Sequence, residues 1–367
     1  MNFEPTEIQT LLRESAERLA RDRFSYLDRL PAFTADVEAI DEDWAAIAEL
    51  GVPGILVPEA YGGIGGTLHD IMPVLEVFGA ACVFEPVTAT AVVGAGLIDA
   101  LGSAEQKARL LPQIAAGSLR VALASAERHS RYRLDHVETA ASQGALTGVK
   151  TLVFGGATAD LFIVSARDSD ALLSLFLVPR NAAGLDIETW RNIDLSGSCD
   201  LTLTNVAAER LGEPADGLAE LERATDRAIA ALCSEAVGAM SALNEITLEH
   251  LRTRHAFGKP LGSFQVLQHR MVDMVVMTEQ ARSIAMLAAD RAEADDPVAS
   301  ARAASAAKVQ VGESGRYVGE QAVQLHGAIG ITLEHPVSYF HKKLAVIDRL
   351  FGDVDHHLER YAVASGY

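Results

Sequence analysis

Apolar residues near the start of the chain recur at intervals of three and four, the spacing of one helix face, at Leu11, Leu12, Ala16, Leu19 and Ala20. Asp41-Glu42-Asp43-Trp44 places acidic residues in the first turn of a second helix. Ser103-Ala104-Glu105-Gln106 has the form of a capping box and starts another. The pattern therefore predicts helices from Thr6 to about Gly117.

The pattern changes after Val121, where short apolar runs rich in β-branched and aromatic residues replace the helical spacing. Leu161–Val164 is one such run, and Leu172–Val178 is a second that ends at Pro179. Leu201–Val206 alternates between apolar and polar residues, which is typical of a half-buried strand. These runs predict a β region that continues to about Val206.

Helical spacing returns after Gly217 and extends over long stretches. The segment from Leu218 to Thr253 contains no proline and one internal glycine, Gly238, and Asp295-Asp296-Pro297 marks a break between later helices. Helices, then strands, then helices indicate segregated domains rather than a βαβ repeat. We predict an α+β multidomain protein with domains at 1–118, 119–212 and 213–367.

Composition narrows the class of protein. The 367 residues are 49% hydrophobic, enough for a sizeable core, and the formal net charge of −19 argues against a nucleic-acid partner. Any anionic ligand then needs a local basic patch. Three widely spaced cysteines without metal-ligand spacing favour reduced thiols, and neither a signal peptide at Met1–Pro5 nor a membrane span is expected, so we predict a cytoplasmic protein.

Two separated stretches have side chains or backbone suited to binding a cofactor. In the first, Arg254 offers a guanidinium for a phosphate, Phe257 and Phe264 offer rings for a planar base, and Gln265 offers an amide. The second, Gln324–Gly330, is broken by glycines that let backbone approach a ligand. The alternative for the first stretch is an ordinary helix end, with the cation favourable at the C-terminal dipole.

The order and spacing of these and other motifs resemble the acyl-CoA dehydrogenase family over nearly the whole chain. The remaining matches are Leu50–Gly54, Val57–Glu59, Tyr61–Gly63, Leu146–Lys150, Ala159–Asp160, Glu334 and Pro336. The resemblance implies an N-terminal α-helical domain, a middle β-barrel or sandwich domain and a C-terminal four-helix bundle. It also implies FAD as the cofactor.

The resemblance assigns roles to the cofactor residues. Arg254 and Phe257 would meet the pyrophosphate and adenosine side of FAD, with Phe264 and Gln265 near the adenine. Gln324 and Ala328 would approach the same pyrophosphate from a neighbouring subunit. Ala328 stands where the family usually has glycine. A site divided in this way requires an oligomer.

Residues 125–133 stand where the family has a loop over flavin and substrate, although most identities differ. Ser125 keeps a hydroxyl that could reach the flavin. Arg128, Arg131 and Arg133 form a basic cluster in an acidic chain, and coenzyme A carries phosphates that such a cluster could bind. A solvated charge run is the alternative.

The catalytic base is missing from both positions where the family places a glutamate, because those positions hold Phe351 and Ala228. Glu235 lies two turns beyond Ala228 on the same helix face, among apolar neighbours. It is the candidate base, and the alternative is a structural glutamate satisfied by an arginine across the bundle. Asp353 is a second candidate, with turn capping as its alternative role.

The resemblance predicts FAD-dependent α,β-dehydrogenation of an acyl-CoA in fatty acid or steroid catabolism, with electrons passed to an acceptor such as electron-transfer flavoprotein. The opening Phe3-x-x-Thr6-x-x-Gln9-x-Leu11-Leu12 and the later stretch Leu350–Asp353 resemble small subunits of heteromeric members that handle pimeloyl-CoA or steroid side-chain thioesters. The assembly is therefore a homo-oligomer or a heterotetramer with a paralogous subunit. One alternative is a non-catalytic or half-site subunit, and another is a flavoprotein oxidase of the same fold.

Overall fold

The computed structural model describes residues 5–24, 41–168, 172–213 and 217–367. The described residues form two compact units. A helical unit combines those within 1–34, 72–83 and 229–367, and a mixed unit combines those within 35–71 and 84–228. Phe3, one of the residues behind the heteromeric resemblance, lies outside the described residues.

Helices dominate the chain before the first strand, as predicted. They are α1 Glu7–Arg23, α2 Asp41–Glu49, α3 Leu68–Ala80, α4 Ala95–Leu101, which continues a π-helical segment Thr88–Gly94, and α5 Ala104–Ala115. The predicted capping box is confirmed at α5, where the Ser103 hydroxyl accepts from the backbone N–H of Gln106 and the Gln106 side chain accepts from the backbone of Ser103. Thr6 and Gln9 form the same arrangement at α1.

The strands form one eight-stranded sheet, which confirms the predicted middle β domain. They are β1 Val121–Ala124, β2 Ala140–Ser142, β3 Ala145–Phe154, β4 Leu161–Arg167, β5 Leu173–Pro179, β6 Leu185–Arg191, β7 Gly197–Ala207 and β8 Glu209–Arg210. Their order is β6-β7-β3-β2-β4-β5-β8, with β1 paired in parallel to β4. The core of this sheet includes Phe162, Val164, Val178 and Leu201.

A bulge changes the alternation expected for Leu201–Val206. Leu201 and Leu203 are buried as predicted, but Val206 is also buried although strict alternation would expose it. The ladder to β3 shifts register there, since Leu203 pairs with Gly148 and Val206 with Leu146, and Asn205 adopts a φ of 53°. The extra residue turns Val206 inward.

Long helices return after the sheet, which confirms the predicted helical C-terminal domain. They are α6 Leu218–Thr253, α7 Gln265–Ala292, α8 Pro297–His326, α9 Val337–Arg349 and α10 Val354–Ala364, with a small hairpin of β9 His255–Ala256 and β10 Lys259–Pro260 after α6. The predicted break at Asp296 is a helix N-cap, since its side chain accepts from the N–H of Ala299. The domain boundaries at 118 and 212 remain predictions.

Two glycines allow α3 and α6 to pack backbone against backbone within the helical unit. A Cβ on Gly79 would lie 1.9 Å from the carbonyl oxygen of Glu235, and a Cβ on Gly238 would lie 1.8 Å from that of Glu76. Neither position accepts a side chain without moving a helix. This close contact fixes the stretch of α6 that carries Glu235.

Helix α6 is the one helix among the described residues that is long and apolar enough to cross a membrane. Of its most apolar window, 72% is buried inside the protein. The helix is therefore a core element, and its apolar character is explained by packing.

Candidate active site

The hairpin after α6 presents the first half of the predicted cofactor site. Strands β9 and β10 are joined by a two-residue turn of Phe257 and Gly258, with φ values of 54° and 80°. Positive φ at both central residues gives a tight hairpin, and glycine adopts it without strain whereas phenylalanine does not. Phenylalanine at such a position is a local strain that points to a function for the ring.

The side chains of this hairpin have the properties that a dinucleotide needs. Phe257 is 94% exposed and lies edge-on to Phe264, with ring centroids 6.2 Å apart. Lys259 places its ammonium 4.1 Å from the centre of the Phe264 ring. The exposed Arg254 side chain has no ion pair or hydrogen bond within the described part of the chain. A free cation beside uncovered rings fits the pyrophosphate and adenine of FAD.

The second half of the predicted site follows the C-terminus of α8. The helix ends at His326, and Gly327 turns the chain with a φ of 65°. Gln324 and Ala328 are exposed on either side of this turn. Their amide and backbone groups are thus accessible to a ligand.

Three histidines hold the two halves together within one chain. The ring of His326 lies 4.3 Å from that of His250 and 4.8 Å from that of His335, measured between ring centroids. His250 is in the last turn of α6, and its carbonyl accepts from the backbone N–H of Arg254, the residue that follows the helix. The Arg254 and Gln324 ends therefore meet at the same end of the helical unit. One chain can present both halves, and their division between subunits remains a prediction.

The histidine stack is uncharged at neutral pH. Burial lowers the pKa of His326 to about 4, and its Nδ1 donates to the carbonyl of Ala322 at 2.8 Å. Burial also lowers the pKa values of His250 and His335. This contact could not be predicted from the sequence, because only folding brings His250 and His335 next to His326.

Glu235, the candidate base, is ion-paired. Its carboxylate lies 2.5 Å from Nζ of Lys343, and the two side chains are 14% and 4% exposed. Lys343 also donates to the carbonyl of Val83 at 2.6 Å. If Glu235 were structural, we expected an arginine as its partner. The partner is instead Lys343, on α9.

The two positions where the family places its glutamate contain no carboxylate. Ala228 is fully buried in α6, and Phe351 adopts a φ of 58° in the turn between α9 and α10. Asp353, the alternative base, caps α10 by accepting from the backbone N–H of His356 at 3.0 Å and pairs with Arg349 at 2.9 Å. The hydrogen bond from His356 and the Arg349 charge keep the pKa of Asp353 below its usual range.

A buried lysine fixes the turn that contains Phe351. Nζ of Lys308 donates to the carbonyls of Ile347, Asp348 and Gly352 at 2.7, 2.9 and 2.7 Å. Lys308 is 1% exposed, and burial lowers its pKa to about 8. It therefore holds the C-terminal end of α9 and the following turn as one piece.

The loop between β1 and β2 carries the predicted substrate residues in the mixed unit. Ser125 is half-buried, and Arg128 and Arg131 are exposed, with no side-chain partner in the described ranges. Arg133 instead forms a two-point contact with Asp135, at 3.1 and 2.7 Å, and this guanidinium lowers the pKa of Asp135. Two of the three predicted arginines therefore remain available for an anion.

Comparison with known proteins agrees with this architecture. The family model "Acyl-CoA dehydrogenase, N-terminal domain" matches residues 6–118, and "Acyl-CoA dehydrogenase, C-terminal domain" matches residues 215–364. The probable acyl-CoA dehydrogenase YngJ of Bacillus subtilis (strain 168) is 28% identical over 358 residues, which cover 92% of each chain.

Solved structures extend the likeness to the whole fold. A variant of the Tcur3481-Tcur3483 steroid ACAD is 30% identical with a TM-score of 0.88, covering 97% of each chain. Butyryl-CoA dehydrogenase from Megasphaera elsdenii is 23% identical with a TM-score of 0.89 over 100% of each chain, a likeness of fold. This chain therefore belongs to the acyl-CoA dehydrogenase family of FAD-dependent oxidoreductases that act on acyl-CoA.

Proposed function

We propose that this chain takes part in FAD-dependent α,β-dehydrogenation of an acyl-CoA thioester and passes the electrons to an external acceptor such as electron-transfer flavoprotein. The observation that carries the proposal is the His250–His326 contact, which brings the free Arg254 cation and the exposed Gln324 turn to one end of the helical unit. When bound, FAD supplies the hydride acceptor for oxidation of the Cα–Cβ bond.

The chain's residues hold the cofactor through charge and stacking. Arg254 would bind the pyrophosphate, while Phe257 and Phe264 would cover the adenosine side. Gln265 would hydrogen-bond near the adenine. The Gln324 amide and the backbone at Ala328 would also contact the pyrophosphate. Ser125 would supply a hydroxyl to the flavin. A charge-assisted phosphate contact of this kind contributes about 1.5–3 kcal/mol.

The α-proton needs a carboxylate, and the Lys343 contact weighs against Glu235 in that role. In that role Glu235 would have to give up its ion pair with Lys343, whose side chain is 4% exposed, and breaking a buried pair costs free energy. Asp353 is occupied as a helix cap. We therefore favour a half-site subunit whose paralogous partner carries the base, with Glu235 in the same chain as the competing assignment.

We infer an oligomer from two exposed apolar surfaces. Phe257 is 94% exposed, and an open groove between α7 and α8 is lined by Val275, Val276, Ile284 and Leu287. Exposed apolar side chains in an open groove are consistent with an interface. We propose that a second copy of this chain occupies the groove, since it lies on the helix that begins directly after the flavin hairpin. A paralogous subunit is the other outcome of the test.

The substrate is proposed to be an acyl-CoA from fatty acid or steroid catabolism. Arg128 and Arg131 would bind phosphates of the coenzyme A moiety, because both lack a side-chain partner among the described residues. The steroid class is supported by the Tcur3481-Tcur3483 steroid ACAD, whose paired designation also supports a heteromeric assembly. We place the reaction in the cytoplasm.

The experiment is anaerobic titration of the purified protein with a panel of acyl-CoA thioesters, recorded through the flavin absorbance. We expect a yellow protein that bleaches with substrate when the paralogous subunit is co-expressed. Reoxidation by air at turnover rate would instead indicate an oxidase. Protein that stays colourless with added FAD, alone and with its partner, would contradict the proposal.

A further inference from the structure

The arginine loop, residues 125–139 between β1 and β2, folds around the buried carboxylate of Glu127. Glu127 is 6% exposed, although it directly precedes the exposed Arg128 and lies four residues before the exposed Arg131. The backbone around it is tied into a turn, since the Ser130 hydroxyl accepts from the N–H of Glu127 at 2.9 Å and donates to its carbonyl at 3.0 Å. The first part of the loop is therefore built around Glu127.

The Glu127 carboxylate binds the far end of the same loop. One oxygen accepts from the backbone N–H of Glu138 at 2.7 Å. The other accepts from the N–H of Thr139 at 3.0 Å and from its hydroxyl at 2.7 Å. These bonds close the loop between its third and its last residues. The hydrogen bonds and the nearby ammonium of Lys150 together hold the pKa of Glu127 below its usual range, against the opposing effect of burial.

Lys150 attaches the closed loop to the sheet. Its Nζ lies 2.6 Å from the Glu127 carboxylate and donates to the hydroxyl of Ser165 at 3.0 Å. Lys150 and Ser165 are both fully buried, on β3 and β4. Gly148 leaves the room needed, because a Cβ there would lie 2.5 Å from the Thr139 hydroxyl oxygen. Four donor groups, three from residues 138–139 and one from Lys150 on β3, thus meet at one carboxylate.

A buried ion pair is a poor source of stability, since well-packed apolar residues of similar volume are often as good. The Glu127–Lys150 pair instead fixes geometry. A carboxylate with four donors has one orientation, and the two ends of the loop are held in place relative to it. Two exposed arginines that lose side-chain freedom on binding benefit from a backbone that is already fixed.

We propose that Glu127 and Lys150 are positioning residues that hold Arg128 and Arg131 as a preformed site for the phosphates of coenzyme A. The inference rests on the proposed acyl-CoA substrate and adds the device that orders its phosphate contacts. The Glu127 and Lys150 side chains are both buried, so their proposed role is to hold the loop and not to contact the phosphates.

The test compares dissociation constants for free coenzyme A and for pantetheine, which lacks the nucleotide and its phosphates. Both are measured by calorimetry on the full-length FAD-loaded protein. For wild type and for Glu127→Gln we expect the same affinity for pantetheine. For coenzyme A, Glu127→Gln should weaken binding by about tenfold to a hundredfold, the scale of one lost charge-assisted contact. The double change Arg128→Ala and Arg131→Ala should have at least that effect, and adding Glu127→Gln to it should change little.

Asp168→Asn is the matched control. It breaks the Asp168–Arg210 pair at 3.1 Å, in which the aspartate side chain is 5% exposed, in the same sheet but outside the loop. We expect it to lower the melting temperature without changing the ratio of the two dissociation constants. If Glu127→Gln does not fold, Ser130→Ala removes only the hydroxyl of the turn and should shift the same ratio by a smaller amount.

The outcomes separate this inference from the proposed function. If wild type prefers coenzyme A over pantetheine and Glu127→Gln keeps that preference, the positioning role is wrong while the acyl-CoA substrate stands. Effects of Glu127→Gln that add fully to those of the arginine changes would also overturn it. A wild type without any preference would overturn the phosphate site as a whole, whatever the flavin titration gives.

Discussion

The carboxylate of Glu235 and the ammonium of Lys343 lie 2.5 Å apart, with both side chains largely withdrawn from water. The close packing of α3 on α6 at Gly79 and Gly238 fixes the backbone on one side of this pair. The Val83 carbonyl accepts a further bond from the same ammonium. This arrangement explains the unusual carboxylate in an apolar helix segment without giving it a role in proton transfer.

Glu235→Gln should therefore affect stability more than turnover. The change breaks the ion pair between Glu235 and Lys343, and removal of one partner of a buried pair costs about 3–5 kcal/mol. The flavin-reduction rate of the assembled enzyme should stay within a few-fold of wild type. Urea unfolding and anaerobic stopped-flow reduction measure the two effects.

The double change Glu235→Gln and Lys343→Met is the control for that result. Removal of both charges should recover much of the lost stability, since no charge is then left unpaired. A loss of turnover by about 10² or more in the single variant, at unchanged stability, would assign the base to Glu235.

Arg254→Ala should weaken FAD binding. Loss of a charge-assisted phosphate contact worth about 1.5–3 kcal/mol corresponds to roughly a tenfold to hundredfold rise in the FAD dissociation constant. Arg252→Ala is the control, because Arg252 is also exposed and lies two residues earlier, in the last turn of α6. Flavin fluorescence on dilution measures both variants. Equal FAD affinities for the two variants would remove Arg254 from the site.

The histidine stack should make the helical unit sensitive to acid. The pKa of His326 is about 4 in the folded chain against 6.5 for an ordinary histidine, so the unfolded chain binds more protons between these values. Stability from this residue is present above pH 6.5 and is lost as the pH falls towards 4. Burial first, and then the neighbouring His250 and His335, disfavour a proton on His326.

His326→Phe keeps a ring in the stack and removes its titration. Between pH 7 and pH 5 the wild type should lose about 2 kcal/mol more unfolding free energy than this variant. Parallel urea titrations at the two pH values measure the difference. Identical losses in both proteins would show that the stack does not respond to acid in this range.

Val276→Lys should weaken self-association. Val276 is 47% exposed in the groove between α7 and α8, and a charge there would be buried by a second chain. Light scattering across a dilution series should show a smaller assembly than wild type, whereas Val363→Lys, on the exposed end of α10, should not. A wild-type monomer that holds one FAD per chain would contradict the proposed oligomer.

The elements that depend on local pattern could be predicted from the sequence. The capping box at Ser103 and the uninterrupted helix Leu218–Thr253 follow from spacing and end signals. The strand predicted at Leu161–Val164 also forms, and it continues to Arg167. The inward turn of Val206 could not be predicted, because it depends on a bulge set by pairing with a strand more than fifty residues away in sequence.

The types of residue in the candidate site could be predicted from the sequence, but the side chains that pair with them could not. Arg254 and Phe257 were identified as a cation and a ring, and both are exposed as a ligand site requires. The partners Lys343 and Lys150 were not predicted, because a buried ion pair joins helices or strands that are distant in the sequence. The same limit hid the contact between His250 and His326.

The most direct measurement is anaerobic reduction of the flavin by acyl-CoA, with this chain purified alone and with a co-expressed paralogous subunit. We predict that FAD binds, and that acyl-CoA bleaches the flavin rapidly in the mixed assembly and slowly or not at all in this chain alone. A chain that binds no FAD in either form would contradict membership of a flavin-dependent acyl-CoA dehydrogenase. Rapid bleaching by this chain alone, abolished by Glu235→Gln, would contradict the half-site assignment.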